Sequence, residues 1–335
     1  MVDHRTSRSA RRPFVAAVLA VLLAIVALAG CGAESGGGRS ESLRAEQSKI
    51  AVGTMPVVDA APLHQAIKKG YFAEEGLEVE LKQLQGSAEG VPGLTSGSLQ
   101  FTFGSWVSFF AAQANGAADL KFVSDGYQAR RGTLQILARA DSPITGPKDL
   151  SGKTIAVNTL SNVDELTTRS VLQTADVDLR RVRFVPMPFP DMLARLEART
   201  VDAVFLVEPY ITQAQWAMGA MPIVDTATGP TNEFPIAGYA TSAEFAKQNP
   251  GTVAAFQRAM AKAQLDCDTT RSEVEELLTQ YVRLDKQMAS LVNVGSYPNT
   301  LESARLQRVV DLMGAHGLLA RPIDVRSMIL GPVTG

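Results

Sequence analysis

The feature that most constrains the fold is a regular alternation of short apolar runs with helical segments from residue 49 onward. Some segments alternate as strands do, and others carry apolar residues at helical spacing. Strands separated by single helices predict an α/β fold with mainly parallel sheets. The first segments in this series are Lys49–Gly53, Pro62–Tyr71, Leu77–Leu81, Gly90–Gly97, Leu99–Phe103, Ser105–Asn115 and Leu120–Ser124.

The alternation is interrupted once and then resumes, which predicts two lobes. Residues 141–147 contain two prolines and a glycine, and a second series of α/β units follows them. Pro235–Thr241 then reads as a strand that returns to the first lobe. We expect residues 49–140 and 238–335 to form lobe one and residues 141–237 to form lobe two. Strand ends of facing lobes enclose a cleft, and two hinge crossings allow it to close.

The first 31 residues have the layout of a bacterial export signal. Four arginines precede the uncharged apolar run Phe14–Ala29, and the run ends at Leu28-Ala-Gly-Cys31, which resembles a lipobox. The run is shorter than the roughly 20 residues of a spanning helix, although an uncleaved anchor is the alternative. We expect a signal peptide at 1–30, a lipidated Cys31 and a flexible linker at 31–48, with the body outside the cytoplasm.

Charge and cysteine content exclude several classes of protein. Removal of residues 1–30 lowers Lys plus Arg from 32 to 28 and Asp plus Glu from 34 to 33, so the net charge becomes −5. This acidic balance, without a Lys/Arg-rich run, argues against nucleic-acid binding. If Cys31 carries the lipid, Cys267 has no partner for an internal disulfide. The fold must then be held by its core.

Three segments carry a resemblance to a known family. Ala61–Val79 contains a Gly-Tyr-Phe…Glu-Gly-Leu…Val motif, and the others are Asp149–Val157 and Val201–Pro209. The chain resembles the solute-binding lipoproteins of ABC importers of the nitrate, sulfonate, taurine and pyrimidine-precursor type. The resemblance implies the type II periplasmic binding fold, a small polar or anionic ligand in the cleft, and delivery to a membrane permease with its ATPase. It also implies a monomer without cofactor, metal or catalytic residues.

Three loops between a strand and a helix are the first candidates for ligand contacts. Free N–H groups and the positive end of a helix favour an anion or a polar head there. Ser161 with Asp164 resembles a capping box, which needs no ligand, and Trp106 beside two phenylalanines is also typical of a core. The candidates in these loops are Gly86, Ser87, Ser105, Trp106, Asn158, Ser161 and Asn162.

Charged residues supply further candidates. Asp59 follows the first strand and Glu208 ends a strand of lobe two, so either could accept hydrogen bonds from an amine or amide. Arg130 and Arg131 lie near the expected hinge, where an arginine could pair with a sulfonate or carboxylate. A solvated surface role is the alternative for all four side chains.

Three other functions are weighed against the import receptor. Pyrimidine-precursor binders of this family carry a histidine close after the first strand, where this chain has Ala60, and His64 lies one helical turn later. A binder of a pyrimidine or another vitamin-precursor heterocycle is therefore less favoured. A pyrimidine-precursor synthase is disfavoured because its cysteine-rich motif is missing. A structural surface lipoprotein, with the cleft filled by its own side chains, is the third alternative.

Overall fold

The computed structural model describes Met1, Val2 and residues 44–331. The rest of the expected signal peptide, Cys31 and residues 32–43 of the linker lie outside the described residues. None of the helices in the described ranges is long and apolar enough to cross a bilayer. The strands are β1 Lys49–Thr54, β2 Glu78–Gln83, β3 Phe101–Ser105, β4 Leu120–Gln128, β5 Leu134–Ala138, β6 Thr154–Val157, β7 Arg183–Pro186, β8 Ala203–Val207, β9 Met221–Asp225 and β10 Pro235–Ser242.

Helices separate most of these strands. In chain order they are α1 Ala61–Lys68, α2 Tyr71–Glu74, α3 Gly90–Ser96, α4 Trp106–Ala114, α5 Val163–Thr174, α6 Phe189–Glu197, α7 Tyr210–Met218, α8 Ala243–Gln248, α9 Pro250–Thr269, α10 Arg271–Leu277, α11 Lys286–Leu291, α12 Ser303–Ala315 and α13 Val325–Met328. A 3-10 turn, Val58–Ala60, follows β1.

Residues 44–331 form two five-stranded mixed sheets, which confirms the predicted α/β fold. The expectation of mainly parallel sheets was wrong, because each sheet has two antiparallel pairs beside two parallel ones. Lobe one has the strand order β2-β1-β3-β10-β4, and lobe two has the order β7-β6-β8-β5-β9. In each sheet the strand that arrives from the other lobe runs antiparallel to its neighbours: β10 in lobe one and β5 in lobe two. The remaining pairs, β1 with β2 and β3, and β6 with β7 and β8, are parallel.

The lobe boundary differs from the one that the sequence suggests. Strand β5, which was expected in lobe one, pairs with β8 and β9 in the sheet of lobe two. The first crossing therefore lies at 129–133 rather than after residue 140, and the second lies at 226–234 rather than at 237. Residues 141–147 form a loop within lobe two, because the strands before and after it, β5 and β6, belong to the same sheet. A proline-rich segment marks the end of a strand and not necessarily the end of a lobe.

Three chain segments meet at the hinge. The two crossings are joined to one another, because the Ala129 amide donates to the Phe234 carbonyl at 2.9 Å. The third segment comes from the C-terminal region: Gln128 and Ser296 exchange backbone hydrogen bonds of 3.0 and 3.1 Å. Asn293, three residues earlier, donates to a carboxylate oxygen of Glu208 in lobe two.

The end of the predicted linker is docked on lobe one. The Glu46 carboxylate accepts hydrogen bonds from the amides of Gly251 and Thr252 at 2.9 and 2.8 Å, at the beginning of α9. The Gln47 amide donates to the Thr252 hydroxyl at 3.0 Å. Glu46 therefore satisfies amides that α9 itself leaves free, and the expected flexible linker ends before residue 46 rather than at residue 48.

Candidate functional site

A buried cavity lies between the two sheets, where the strand ends of both lobes face each other. Water-sized spheres can occupy about 30 Å³ of it, which is room for about two water molecules. The lobes are thus closed on one another. The polar lining residues are Asp59, Ser87, Ser105, Asn158, Asn162 and Asp164, and the apolar ones are Met55, Val57, Phe103, Val163, Phe189, Phe205, Val207, Ile236 and Ala237.

Asp59 is the charged residue that lobe one contributes. It lies in the 3-10 turn after β1 and is 5% exposed. Its Oδ1 atom has no hydrogen-bond partner among the described residues. Burial raises the pKa of the Asp59 carboxyl to about 7, because a charged group loses its hydration in the cavity wall.

Two serines of lobe one occupy the adjoining loops and bond to the backbone. Ser105 caps α4, since its hydroxyl accepts from the Ser108 amide at 3.1 Å. The Ser105 amide donates to the Ser87 hydroxyl at 3.0 Å. Both side chains line the cavity as predicted, but their oxygens already accept from the main chain.

Asp164 is the charged residue that lobe two contributes, and it lies in the first turn of α5. Its Oδ2 atom accepts from the amides of Asn158 and Thr159. Its Oδ1 atom is buried without a partner in residues 44–331, and the residue is 1% exposed. Burial raises the pKa of the Asp164 carboxyl to about 7, although those amide hydrogen bonds act to lower it. We did not predict this residue as a ligand contact, because the sequence suggested only a capping role.

Two asparagines of lobe two hold the lobes together. Asn162 Oδ1 accepts from the hydroxyls of Ser105 and Ser108 in lobe one, the latter at 3.1 Å. Asn158 Nδ2 donates to the Gln85 carbonyl at 2.9 Å. A side chain at Gly86 would place its Cβ atom 2.8 Å from the Thr159 hydroxyl. Gly86 therefore permits close approach of the lobes and contacts lobe two, outside the cavity lining.

Besides Gly86, four predicted site residues lie outside the cavity lining. Trp106 is buried in the core of lobe one, edge-on to Phe122 at 4.8 Å between ring centroids. Ser161 lines a separate surface groove, and its amide donates to Glu165. The expected capping box is not formed, because the Asp164 side chain bonds to other amides. Arg130 is exposed and lies outside the cavity.

Glu208 is the fourth of these residues, and it is a buried structural group. Its carboxylate accepts from the amide and hydroxyl of Thr212 at 3.1 and 3.0 Å, so it caps α7. It also accepts from the amide and side chain of Asn293 at 2.9 and 3.2 Å. The Glu208 carbonyl accepts from the Val58 amide. Burial raises the pKa of this carboxyl, yet its hydrogen bonds are made within the protein.

The cavity is rich in hydrogen-bond acceptors and contains no cation. None of the residues that line it in the described part of the chain is a lysine, arginine or histidine. Arg131 is largely exposed and lies 3.9 Å from Asp225. His64 stacks on Tyr281 with 3.8 Å between ring centroids, and burial lowers its pKa to about 4. No group of three metal-ligating side chains is present within the described ranges.

Two α/β lobes, joined by hydrogen-bonded crossings and closed over a buried cavity, define the two-lobed type II periplasmic binding fold. The chain belongs to the NMT1/THI5-like family, whose model matches residues 58–267. This confirms the predicted family.

Two solved structures share the fold of this chain, and a named relative is similar to it over most of its length. The alkanesulfonate-binding protein of Xanthomonas axonopodis pv. citri has a TM-score of 0.74 at 18% identity. The match covers 85% of this chain and 99% of that protein. The desulfurization enzyme DSZB shares the fold at a TM-score of 0.63 and 19% identity, covering 85% and 97%. A Bacillus subtilis (strain 168) protein named for binding aliphatic sulfonates is 25% identical over 324 residues, 93% of either chain.

Two further relatives carry other names. The formylaminopyrimidine-binding protein of Halalkalibacterium halodurans is 25% identical over 187 residues, which are 56% of this chain and 54% of the relative. The nitrate import ATP-binding protein of a Synechocystis species is 26% identical over 258 residues, which are 71% of this chain and 38% of the relative.

Proposed function

We propose that this protein is the extracytoplasmic, lipid-anchored solute-binding component of an ABC importer. It captures a small solute between its lobes and presents it to a permease and ATPase as a monomer. The observation that carries the proposal is the cavity between hinged lobes, to which each lobe contributes polar side chains. The names of the relatives, which include sulfonate binding and nitrate import, support the same role.

Ligand-dependent closure is the property to measure. The full chain, purified in detergent, is screened against sulfonates, nitrate, taurine, aminopyrimidines and amines by thermal shift and calorimetry. A true solute raises the melting temperature, since it binds only the folded protein. It also changes the radius of gyration in small-angle X-ray scattering, because the lobes move about the hinge to admit and hold it. If no solute of any charge changes either quantity, the proposal fails.

The anchor is tested separately from the cleft. Residues 1–30 are proposed as the signal peptide and Cys31 as the lipid attachment point. In a bacterial host fed an alkyne fatty acid, the chain should incorporate label, and Cys31→Ser should lose it. Cys267→Ser is the matched control, because Cys267 is the other cysteine of the sequence and is buried. Equal labelling of the two variants would contradict lipidation at Cys31.

A structural surface lipoprotein is the competing function. A cleft that serves only as an inert interface should have its buried polar groups paired, as protein interiors nearly always do. Asp59 and Asp164, one on each lobe, line the same cavity with Oδ1 atoms that have no partner within residues 44–331, and a ligand held there would supply one. The enzyme alternative has the fold likeness to the desulfurization enzyme as its support, and turnover of a bound solute by the purified chain would revive it.

A further inference from the structure

Several N–H groups in the loops at the cleft already donate to oxygens of the protein. The amides of Asn158 and Thr159 donate to Asp164 Oδ2. The Ser105 amide donates to the Ser87 hydroxyl, and the Ser161 amide donates to Glu165. Helix N-termini with free amides attract sulfonate or nitrate groups. Here side-chain oxygens take that place, and Asp164 does so with a carboxylate.

Two carboxylate oxygens of the cavity lining lack a hydrogen-bond partner within residues 44–331. Asp59 Oδ1 on lobe one and Asp164 Oδ1 on lobe two are buried and have no hydrogen-bond partner in the described part of the chain. Both carboxyls line the same cavity, which has no cationic lining residue. An anionic solute would add negative charge beside two carboxyls, whereas a donor-bearing cation would pair with them.

We infer that the solute is a small organic amine or amidine with an apolar body, which donates hydrogen bonds to Asp59 on one lobe and to Asp164 on the other. This inference rests on the proposed function and specifies its ligand. The apolar body matches the apolar part of the cavity lining, to which Phe103, Phe189 and Phe205 contribute aromatic rings. Since the two carboxyls belong to different lobes, one ligand that reaches both couples binding to closure.

The volume of the cavity indicates that the lobes separate before the ligand binds. Space for about two water molecules is too small for an organic amine, so the lobes must separate to admit the ligand. The interlobe hydrogen bonds of Asn158 and Asn162 would break at that step. The ligand then replaces these contacts with charge-assisted hydrogen bonds, which are roughly twice as strong as neutral ones.

The test compares probes that differ mainly in charge. Benzylamine, benzamidine and 1,5-diaminopentane are titrated into the full chain in detergent, beside benzenesulfonate, nitrate and the neutral benzyl alcohol. We expect at least one amine probe to bind about tenfold or more tightly than benzenesulfonate and benzyl alcohol. Asp59→Asn and Asp164→Asn should each weaken that amine by about tenfold or more. The control Asp191→Asn, an exposed carboxyl of lobe two, should leave its affinity unchanged.

Proton exchange gives a readout that does not depend on any variant. At pH 6.5 the raised pKa values of Asp59 and Asp164 leave both carboxyls largely protonated. A bound cation favours the ionised form, so amine binding should release protons, whereas anion binding should take them up. Calorimetry in buffers of different ionisation enthalpy measures the sign.

The outcomes separate the two proposals. Binding of benzenesulfonate or nitrate in preference to every amine, or proton uptake on binding, overturns the inference and leaves the import function standing. Amine binding that neither aspartate variant weakens also overturns it. If no probe in this set and no solute in the broader screen binds, both proposals fail. If Asp164→Asn does not fold, the affinities of Asp59→Asn and of the wild-type protein for the charged and neutral probes still test the inference.

Discussion

Replacing Asp59 by asparagine tests how strongly the closed cavity opposes a buried negative charge. Burial raises the pKa of Asp59 from its ordinary value of 3.8 to about 7. A carboxyl whose pKa is higher in the folded than in the unfolded state binds more protons when folded. Its contribution to stability is therefore fully present below the unfolded-state pKa and is lost as the pH rises toward 7. Between pH 4.5 and pH 8 the loss is about 3 kcal/mol.

Asparagine does not titrate, so the variant lacks this part of the pH dependence. The free energy of unfolding of Asp59→Asn relative to wild type should rise by about 3 kcal/mol from pH 4.5 to pH 8. Urea unfolding of the ligand-free full chain, followed by circular dichroism, measures it at both pH values. The raised pKa values of Asp125 and Asp164 act in both proteins and cancel in the difference.

The surroundings of Asp59 allow a clean interpretation. The titratable groups whose pKa values respond to its charge are the hydroxyls of Tyr127, Tyr239, Tyr281 and Tyr297, all of which stay protonated below pH 10. Asp191→Asn, the exposed control, should give the same difference from wild type at both pH values. If Asp59→Asn also gives equal differences at the two pH values, burial does not oppose ionisation of this carboxyl and the reasoning is refuted.

Three further substitutions test packing and closure. Asn162→Ala removes the acceptor of two interlobe hydrogen bonds. The open form should become more stable relative to the closed form by about 1–3 kcal/mol, so the radius of gyration in small-angle X-ray scattering should rise. An unchanged radius would contradict this. Gly238→Ala places a Cβ atom 2.0 Å from the Trp106 ring and should lower the free energy of unfolding in urea by about 1–3 kcal/mol or more. The control Gly146→Ala meets open space and should change that free energy by less than about 0.5 kcal/mol. Glu46→Ala removes the acceptor for the first amides of α9 and should cost about 1–2 kcal/mol; a stability equal to wild type would mean that residues 44–48 behave as a free linker.

The sequence predicted secondary structure well where local periodicity determines it. Helices α3 and α4 begin and end within a residue or two of the segments Gly90–Gly97 and Ser105–Asn115. The assignment of β5 to a lobe failed because alternation marks a strand but not its partner, and its partners β8 and β9 lie far along the chain. Helix α7 has no Ser, Thr, Asp or Asn cap, and β9 has exposed residues at its beginning, so neither produced a clear pattern.

The site was predictable only where position along a strand determines it. Ser87 and Ser105 line the cavity because loops after the strands of a sheet meet at one edge. Asp164 was missed as a lining residue because its two oxygens have different surroundings, and sequence spacing indicates only the one that caps the backbone. Glu208 was misassigned because its partner Asn293 lies 85 residues later. Arg130 lies near the hinge, but the side chain is exposed.

The contact of the C-terminal region with the hinge has a mechanical consequence. A protein joined by two neighbouring strands can both bend and twist about them. Here Ser296 is attached to Gln128 beside the first crossing, while Asn293, on the same short stretch, is attached to Glu208 of lobe two. This third connection should oppose torsion of one lobe against the other more than bending about the two crossings.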